Sequence, residues 1–180
     1  MRFIFGFGSL VNDATHRYEI IAKARVTGFE RQWVAARHGS HSFLSVTAQK
    51  NSEIEGLVLG VAEEDMAQLD IREKNYHSLE ISPAAIRSST PIDAPVFLYQ
   101  ASPDAVEITD EKPILQTYLD CVFQGYEAHF GAASIEAFIK TTNGWERGIH
   151  NDRADPIYPR AVPVDALDCV RFDQILSAGG

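Results

Sequence analysis

The sequence has little of several features that mark whole classes of protein. Only two cysteines occur among 180 residues, Cys121 and Cys169, and they lie far apart in apolar surroundings. This usage is typical of buried thiols in a reducing compartment rather than of a disulfide framework. No apolar run approaches the ~20 residues that a membrane-spanning helix needs, so we expect no membrane association. We therefore expect a cytoplasmic protein.

Positive charge is also scarce. Sixteen Lys and Arg stand against 25 Asp and Glu, which gives a net charge of −9. Binding to a phosphate backbone needs clustered Lys and Arg, so the composition argues against nucleic acid as a partner. An anionic small molecule remains compatible with it if arginines gather locally. The length fits one domain over residues 1–180, with a sizeable core.

The order of the predicted elements is strands, one helix, strands, then helices. Strand patterns cover residues 2–5, 23–34, 43–48, 54–61, 78–86 and 96–100, with a turn at 49–52. Helical spacing covers residues 63–76, 113–130 and 134–141. After residue 143 we expect loops and one short element near Val170. The pattern predicts an α+β fold whose mixed or antiparallel, barrel-like sheet is flanked by helices.

One carboxylate falls on the apolar face of the first predicted helix. At about 100° per residue, Met66, Leu69 and Tyr76 share a narrow arc that includes Glu73, while Arg72 is predicted to point elsewhere. Burial raises the pKa of a carboxyl group, and a pKa nearer neutrality suits a general acid/base catalyst. The alternative is that Glu73 lies at the ragged end of the helix, solvated or paired with an arginine.

A glycine-rich turn follows the first strand, at residues 6–10. Its two glycines and its serine let backbone amides converge on an anion such as a carboxylate. A dinucleotide-binding fingerprint is excluded because Val11 occupies the third glycine position and no strand–helix–strand unit follows. The alternative interpretation is a tight turn beside the core.

A polar segment near the end of the chain reads NGWERGIHNDRADPIYPR, over residues 143–160. Its arginines supply bidentate donors and its prolines stiffen the backbone, so we expect a binding loop in which at least one arginine contacts an anionic substrate. The arginines are Arg147, Arg153 and Arg160, and we take Arg153 as the candidate. His150 and Asp152 lack partners at metal-site spacing, so we predict no metal. The alternative is a solvated surface loop whose charges pair with one another.

Two stretches together resemble a known family. Residues 5–10, FGFGSL, resemble the FGYGSL start of the gamma-glutamylcyclotransferase-like superfamily, which includes the ChaC-type glutathione-degrading enzymes. Residues 69–76, LDIREKNY, resemble the ChaC-type LDxREkxGY stretch, whose glutamate is the catalytic acid/base. The resemblance therefore implies a catalytic role for Glu73. It also implies substrate binding by Phe7, Gly8, Ser9, Leu10 and Tyr99.

The reaction of that family converts a gamma-glutamyl amide, such as glutathione, into 5-oxoproline and a free amine without any cofactor. Phe7 replaces the usual tyrosine, and the segment from residue 144 to 160 departs from the ChaC-type pattern, so the identity of the leaving amine stays open. Two other functions also stay open. One is a non-catalytic domain that binds a small molecule on the same fold, and the other is an enzyme that exchanges the amine on a gamma-glutamyl group.

Overall fold

A computed structural model describes residues 1–179 and places ten strands in one sheet with four α-helices around it. The strands are β1 (Arg2–Gly6), β2 (Glu19–Ala36), β3 (Ser42–Val61), β4 (Tyr76–Ile81), β5 (Ile86–Ser88), β6 (Val96–Ala101), β7 (Val106–Glu107), β8 (Ile114–Leu115), β9 (Thr142–Asn143) and β10 (Ile149–His150). The helices are α1 (Met66–Arg72), α2 (Gln116–Phe130), α3 (Ala133–Lys140) and α4 (Ala166–Gly179).

Strand β1 lies in the middle of the sheet. It runs antiparallel to β3 and parallel to β6, and its residues Ile4 and Phe5 are fully buried. The main strand path is β10-β8-β3-β1-β6-β4, with β2 paired along β3, and over residues 1–179 it does not return to its start. The predicted α+β fold with a mixed sheet and flanking helices is confirmed, and the sheet is open rather than closed into a barrel.

Strands β2 and β3 are longer than the sequence pattern predicts. The turn expected at residues 49–52 lies within β3, and the chain does not reverse there. Instead the pairing jumps from Thr27 opposite Glu53 to Phe29 opposite Ala48, next to Gly28 with its φ of +90°. The polar residues at 49–52 therefore interrupt the ladder as an irregularity, and the strand resumes because apolar residues on both sides face the core.

The helix predicted over residues 63–76 is shorter in the structure. A 3-10 turn at Glu63–Asp65 leads into α1, which ends at Arg72. The amide of Glu73 donates the last helical hydrogen bond to the carbonyl of Leu69, at 2.9 Å, and Tyr76 already belongs to β4. Glu73 thus lies in the turn between a helix and a strand, where a helical wheel no longer describes the direction of its side chain.

Helix α4 is longer than the short element predicted near Val170. Its apolar residues do not form one stripe, since Phe172 is fully buried while Leu167 and Val170 are largely exposed. This pattern explains why periodicity does not reveal the helix. None of the helices described over residues 1–179 has both the length and the apolar character that crossing a bilayer requires.

Helix α2 packs closely on the chain just after the glycine-rich turn. A Cβ atom on Gly125 would lie 2.8 Å from the backbone nitrogen of Asn12, so only glycine permits this approach. The side-chain amide of Asn12 donates to the carbonyl of Cys121 at 2.8 Å and to Oε1 of Gln124 at 3.0 Å. These contacts fix the position of the turn relative to the helix.

Candidate active site

The glycine-rich turn at residues 6–10 lines a pocket. Ser9 begins a 3-10 turn whose first internal hydrogen bond runs from the amide of Val11 to the carbonyl of Gly8, at 2.9 Å. The amides of Ser9 and Leu10 precede that bond, so they have no acceptor within the turn. A Cβ atom on Gly8 would lie only 2.6 Å from the Tyr118 hydroxyl, which explains the need for glycine.

Glu73 and Arg72 lie beside this turn. The two side chains form an ion pair with Nε of Arg72 3.4 Å from Oε1 of Glu73, and they are only 6% and 11% exposed, respectively. Nη2 of Arg72 also donates to Oγ of Ser9 at 3.0 Å, and Nη1 donates to the carbonyl of Thr15 at 3.0 Å. Arg72 therefore links the turn to the carboxylate, and it is buried where the helical wheel predicts it to point elsewhere.

The environment of Glu73 favours its protonated form. Burial raises the pKa of this carboxyl group above its ordinary value, and the positive charges of Arg72 and Arg160 offset part of that rise. A carboxyl group of this kind can take up and release a proton closer to neutral pH than a solvated glutamate can. Both of the interpretations of Glu73 apply in part, because it is buried and also paired with an arginine.

Four tyrosines surround the same pocket: Tyr76, Tyr99, Tyr118 and Tyr158. Burial raises the pKa of Tyr76 and Tyr118 well above the ordinary value, so both keep their hydroxyl protons. The Tyr76 hydroxyl donates to the carbonyl of Leu44 at 2.9 Å, and the Tyr118 hydroxyl accepts from the amide of Ser9 at 3.4 Å. Burial raises the pKa of Tyr158, and the nearby Ser9 side chain offsets part of that rise. The Tyr158 hydroxyl is buried and has no hydrogen-bond partner of normal geometry among residues 1–179.

The pocket has a volume of about 220 Å3 and a distinctive charge. Glu73 is the one carboxylate among the described residues that line it. The other ionisable side chains besides the tyrosines are those of Arg72, Arg160, His38 and His41. The pocket of this acidic protein is thus lined by two arginines and one carboxylate, a balance that suits an anionic small molecule.

Nearly all of the predicted site residues come together here. Glu73, Tyr99 and all four turn residues, Phe7, Gly8, Ser9 and Leu10, line the pocket. The structure does not bring Arg153 to it. Instead Arg153 binds Asp120 with both Nε and Nη2, at 2.7 and 2.8 Å, and donates to Asp173 at 2.9 Å. These bonds tie the polar segment to α2 and α4, so we do not retain Arg153 as a substrate contact.

Sequence reasoning missed Arg72, Tyr118 and Tyr158 as parts of the site. The signal for Arg72 was present, because the LDIRE stretch contains it directly before the glutamate. Tyr118 belongs to the apolar stripe of α2, where nothing distinguishes a pocket tyrosine from a core tyrosine. Tyr158 is brought in by a loop, and its ring packs edge-on against that of Tyr118 with 5.0 Å between centroids.

Solved structures share this architecture. A gamma-glutamyl cyclotransferase superposes with a TM-score of 0.61 at 12% identity, with 99% of each chain covered. YkqA from Bacillus subtilis gives 0.58 at 14% identity and covers 79% of this chain and 55% of its own. The uncharacterized protein loc79017 from Homo sapiens gives 0.55 at 12% identity, with 98% of each chain covered. The fold is therefore that of the gamma-glutamyl cyclotransferases.

The sequence itself decides the family. The model of the family described as "Gamma-glutamyl cyclotransferase, AIG2-like" matches residues 4–116, which include the glycine-rich turn, Glu73 and Tyr99. The chain belongs to this family. Among curated proteins, none matches the sequence closely enough to serve as a relative.

Proposed function

We propose that the protein is a gamma-glutamylcyclotransferase that converts a gamma-glutamyl amide into 5-oxoproline and a free amine, with Glu73 as its acid/base catalyst. The observation that carries the proposal is a buried carboxylate with a raised pKa beside a 3-10 turn whose Ser9 and Leu10 amides have no acceptor within the turn, in a pocket that holds no other carboxylate among the described residues. Such a site combines a proton carrier with a place for the substrate's own carboxylate.

The turn is the proposed site for the α-carboxylate of the gamma-glutamyl group. The amides of Ser9 and Leu10 supply donors, and the absence of a side chain at Gly8 allows close approach. Held in this way, the substrate folds so that its α-amine reaches its own side-chain carbonyl. The ring closure is intramolecular, so orientation supplies a large part of the rate acceleration.

Glu73 moves the protons. The α-ammonium of the substrate has a pKa of about 7.7–8.0 in model compounds, so a nearby carboxylate is an adequate base. Attack forms the new C–N bond, and collapse of the tetrahedral intermediate breaks the bond to the leaving nitrogen. Two protons leave the attacking nitrogen and both end on the leaving amine, which departs as an ammonium ion. Glu73 accepts each proton and donates it, and Arg72 holds its carboxylate in place.

The test is Glu73→Gln, which keeps the shape of the side chain but cannot carry a proton. We expect kcat for 5-oxoproline release to fall by about 10²–10⁴-fold, the usual contribution of a general acid/base group. Thermal unfolding should show an intact fold. Asp70→Asn is the matched control, since Asp70 is an exposed carboxylate on α1 that does not line the pocket. Near-normal kcat for Glu73→Gln would overturn the assignment.

A panel of gamma-glutamyl dipeptides and amides separates this function from its two alternatives. A non-catalytic binding domain would bind members of the panel and release no 5-oxoproline from any of them. An amine-exchange enzyme would transfer the gamma-glutamyl group to an added amine and yield a new amide in place of the cyclic product. Glu73 favours the cyclotransferase over the binding domain, because the raised pKa that comes with its burial suits a proton carrier, whereas simple binding of an ammonium group is better served by an ionised carboxylate.

A further inference from the structure

The three arginines of the polar segment differ in whether other residues of the protein bind their guanidinium groups. Arg147 donates to the carbonyls of Trp33 and Thr109 and pairs with Asp110 at 3.0 Å. Arg153 is paired with Asp120 and Asp173, as described above. Arg160 lines the pocket and forms neither a hydrogen bond nor an ion pair with any described residue. It is the arginine of this segment whose guanidinium remains available to a ligand.

The segment is held firmly enough to present Arg160 at a defined place. Asp152 is 2% exposed, and its carboxylate accepts hydrogen bonds from the amide and hydroxyl of Thr117 at 2.8 and 2.6 Å and from the amide of Ile157 at 2.9 Å. Burial opposes ionisation of Asp152, but these hydrogen bonds outweigh it and lower the pKa. Asp152 thus anchors to α2 the same polar segment that carries Arg160.

Arg160 lines the pocket beside its exposed residues, within electrostatic reach of Glu73. It is half-buried and follows the exposed Pro159, and the exposed His38 also lines the opening. Phe5, Leu44 and Leu115 are buried and line the interior. The gamma-glutamyl half of the substrate must lie inside, because its amine and carbonyl have to meet Glu73. The leaving half therefore extends towards the exposed residues of the pocket and passes Arg160.

The pocket has two arginines, Arg72 and Arg160, and a gamma-glutamyl amino acid has two carboxylates. Arg72 is already bonded to Ser9, Thr15 and Glu73, and it serves the inner part of the site. Resting on the cyclotransferase function proposed above, we infer that Arg160 is a specificity-determining residue that binds a carboxylate on the leaving-amine half of the substrate. Substrates whose leaving group is an amino acid then bind better than those whose leaving group is a simple amine.

The experiment compares two ligands that differ by a single carboxylate, gamma-glutamylalanine and gamma-glutamylethylamine. Calorimetric titrations use the full chain carrying Glu73→Gln, so that turnover does not interfere. We expect gamma-glutamylalanine to bind about 10- to 100-fold more tightly, as a charge-assisted hydrogen bond allows. Adding Arg160→Gln should remove most of this preference by weakening the alanine compound alone, and Arg160→Lys should restore part of it.

Arg87→Gln is the matched control, because it removes the same charge at an exposed arginine that pairs with Glu53 and does not line the pocket. It should leave the preference intact. Equal affinity of both ligands, or an unchanged preference in Arg160→Gln, overturns the inference even if the wild-type protein releases 5-oxoproline. A preference that depends on Arg160, in a protein that releases no 5-oxoproline from either compound, supports the inference on binding while the proposed reaction fails.

Discussion

Two polar clusters contact the glycine-rich turn, and they differ in how far groups of the protein satisfy their hydrogen-bond donors. The rear cluster consists of Arg31, Tyr126 and Thr141. The pocket cluster consists of Arg72, Glu73, Tyr158 and Arg160. Both clusters combine arginine with tyrosine, so residue type does not separate them.

Each of the three guanidinium nitrogens of the rear arginine has a hydrogen-bond partner within the protein. Arg31 is 2% exposed, and its guanidinium donates to the carbonyls of Phe7 and Glu55, to the Tyr126 hydroxyl and to Oγ1 of Thr141. No carboxylate pairs with it among the residues described. Carbonyl dipoles and the aromatic faces of Tyr126 and Phe138, 5.3 and 4.9 Å from Cζ, stabilise the charge instead.

The pocket cluster is incomplete by comparison. Arg160 and the hydroxyl of Tyr158 have no hydrogen-bond partner within residues 1–179, and Glu73 has a raised pKa. Buried polar groups are normally satisfied, so unmatched donors beside a cavity indicate where a ligand belongs. The rear cluster positions the turn, since the Phe7 carbonyl accepts from Arg31 at 3.1 Å and lies 2.9 Å from the Tyr126 hydroxyl. The pocket cluster is where we propose that the substrate binds.

The most severe test of this division is Gly8→Val, which adds bulk on the pocket face of the turn. The new Cβ would lie 2.6 Å from the Tyr118 hydroxyl and 3.1 Å from Cδ2 of Leu44. We expect kcat/KM to fall by about 100-fold, because displacement of a positioning group by about 1 Å has an effect of that size. Steady-state kinetics with a gamma-glutamyl dipeptide measures this, and a folded variant with normal KM would contradict the role of the turn.

Because the clash falls on Tyr118, a second substitution sharpens that test. Gly8→Ala combined with Tyr118→Phe removes the hydroxyl that the new methyl group would meet. We expect the double variant to recover most of the unfolding free energy lost by Gly8→Ala alone, which overpacking puts at about 1–3 kcal/mol. Urea denaturation of the single and double variants measures the recovery. Equal losses in both would place the strain elsewhere than at Tyr118.

A matched pair of hydroxyl deletions compares the two clusters directly. Tyr126→Phe removes a hydroxyl that bonds within the rear cluster, so we expect the unfolding free energy to fall by about 1–3 kcal/mol. Tyr158→Phe removes a buried hydroxyl without a partner, so stability should stay the same or rise slightly, while KM rises. Urea denaturation of both variants measures the change in stability, and steady-state kinetics measures the change in KM. If Tyr158→Phe destabilises the protein as much as Tyr126→Phe does, the proposed difference between the two clusters is wrong.

The smallest effect concerns the pH dependence of stability. The folded-state pKa of Glu73 is raised, so the folded protein holds this proton more tightly than the unfolded chain. The stabilisation from that proton is complete below the unfolded pKa of about 4.3 and is lost as the pH rises through the folded pKa. We therefore expect wild type to lose stability relative to Glu73→Gln as the pH rises through this range. Parallel denaturation curves across pH would indicate a solvated carboxylate.

Much of the fold follows from local sequence patterns. Alternating and continuous apolar residues predict β1 and β6, helical spacing predicts α2 and α3, and the order of elements predicts the α+β class. Element ends are predicted less well. Residues 113–115 look like the start of α2, yet Ile114 and Leu115 pair as β8 with β3 and β10. Such pairing depends on residues more than 30 positions away, so a local sequence pattern cannot predict it.

The residues of the candidate site also fall into two groups, those that a local sequence motif predicts and those that only packing brings to the pocket. The FGFGSL turn and the LDIRE stretch are contiguous motifs, so the sequence is enough to single out Gly8, Ser9 and Glu73. The partners that complete the pocket, Tyr118 and Tyr158, come from a core helix and a late loop. Their selection depends on how α2 crosses the turn at Gly125 and how Asp152 anchors the loop to α2.

The arginines show most clearly where the limit lies. From composition alone, Arg147, Arg153 and Arg160 are equivalent donors in one polar segment, and the sequence determines only that such a segment exists. The tertiary structure decides their roles. Carboxylates and carbonyls from distant parts of the chain bind Arg147 and Arg153, whereas Arg160 lines the pocket. An arginine is available to a ligand only when no neighbour in space already satisfies it, and spatial neighbours are set by packing rather than by position in the chain.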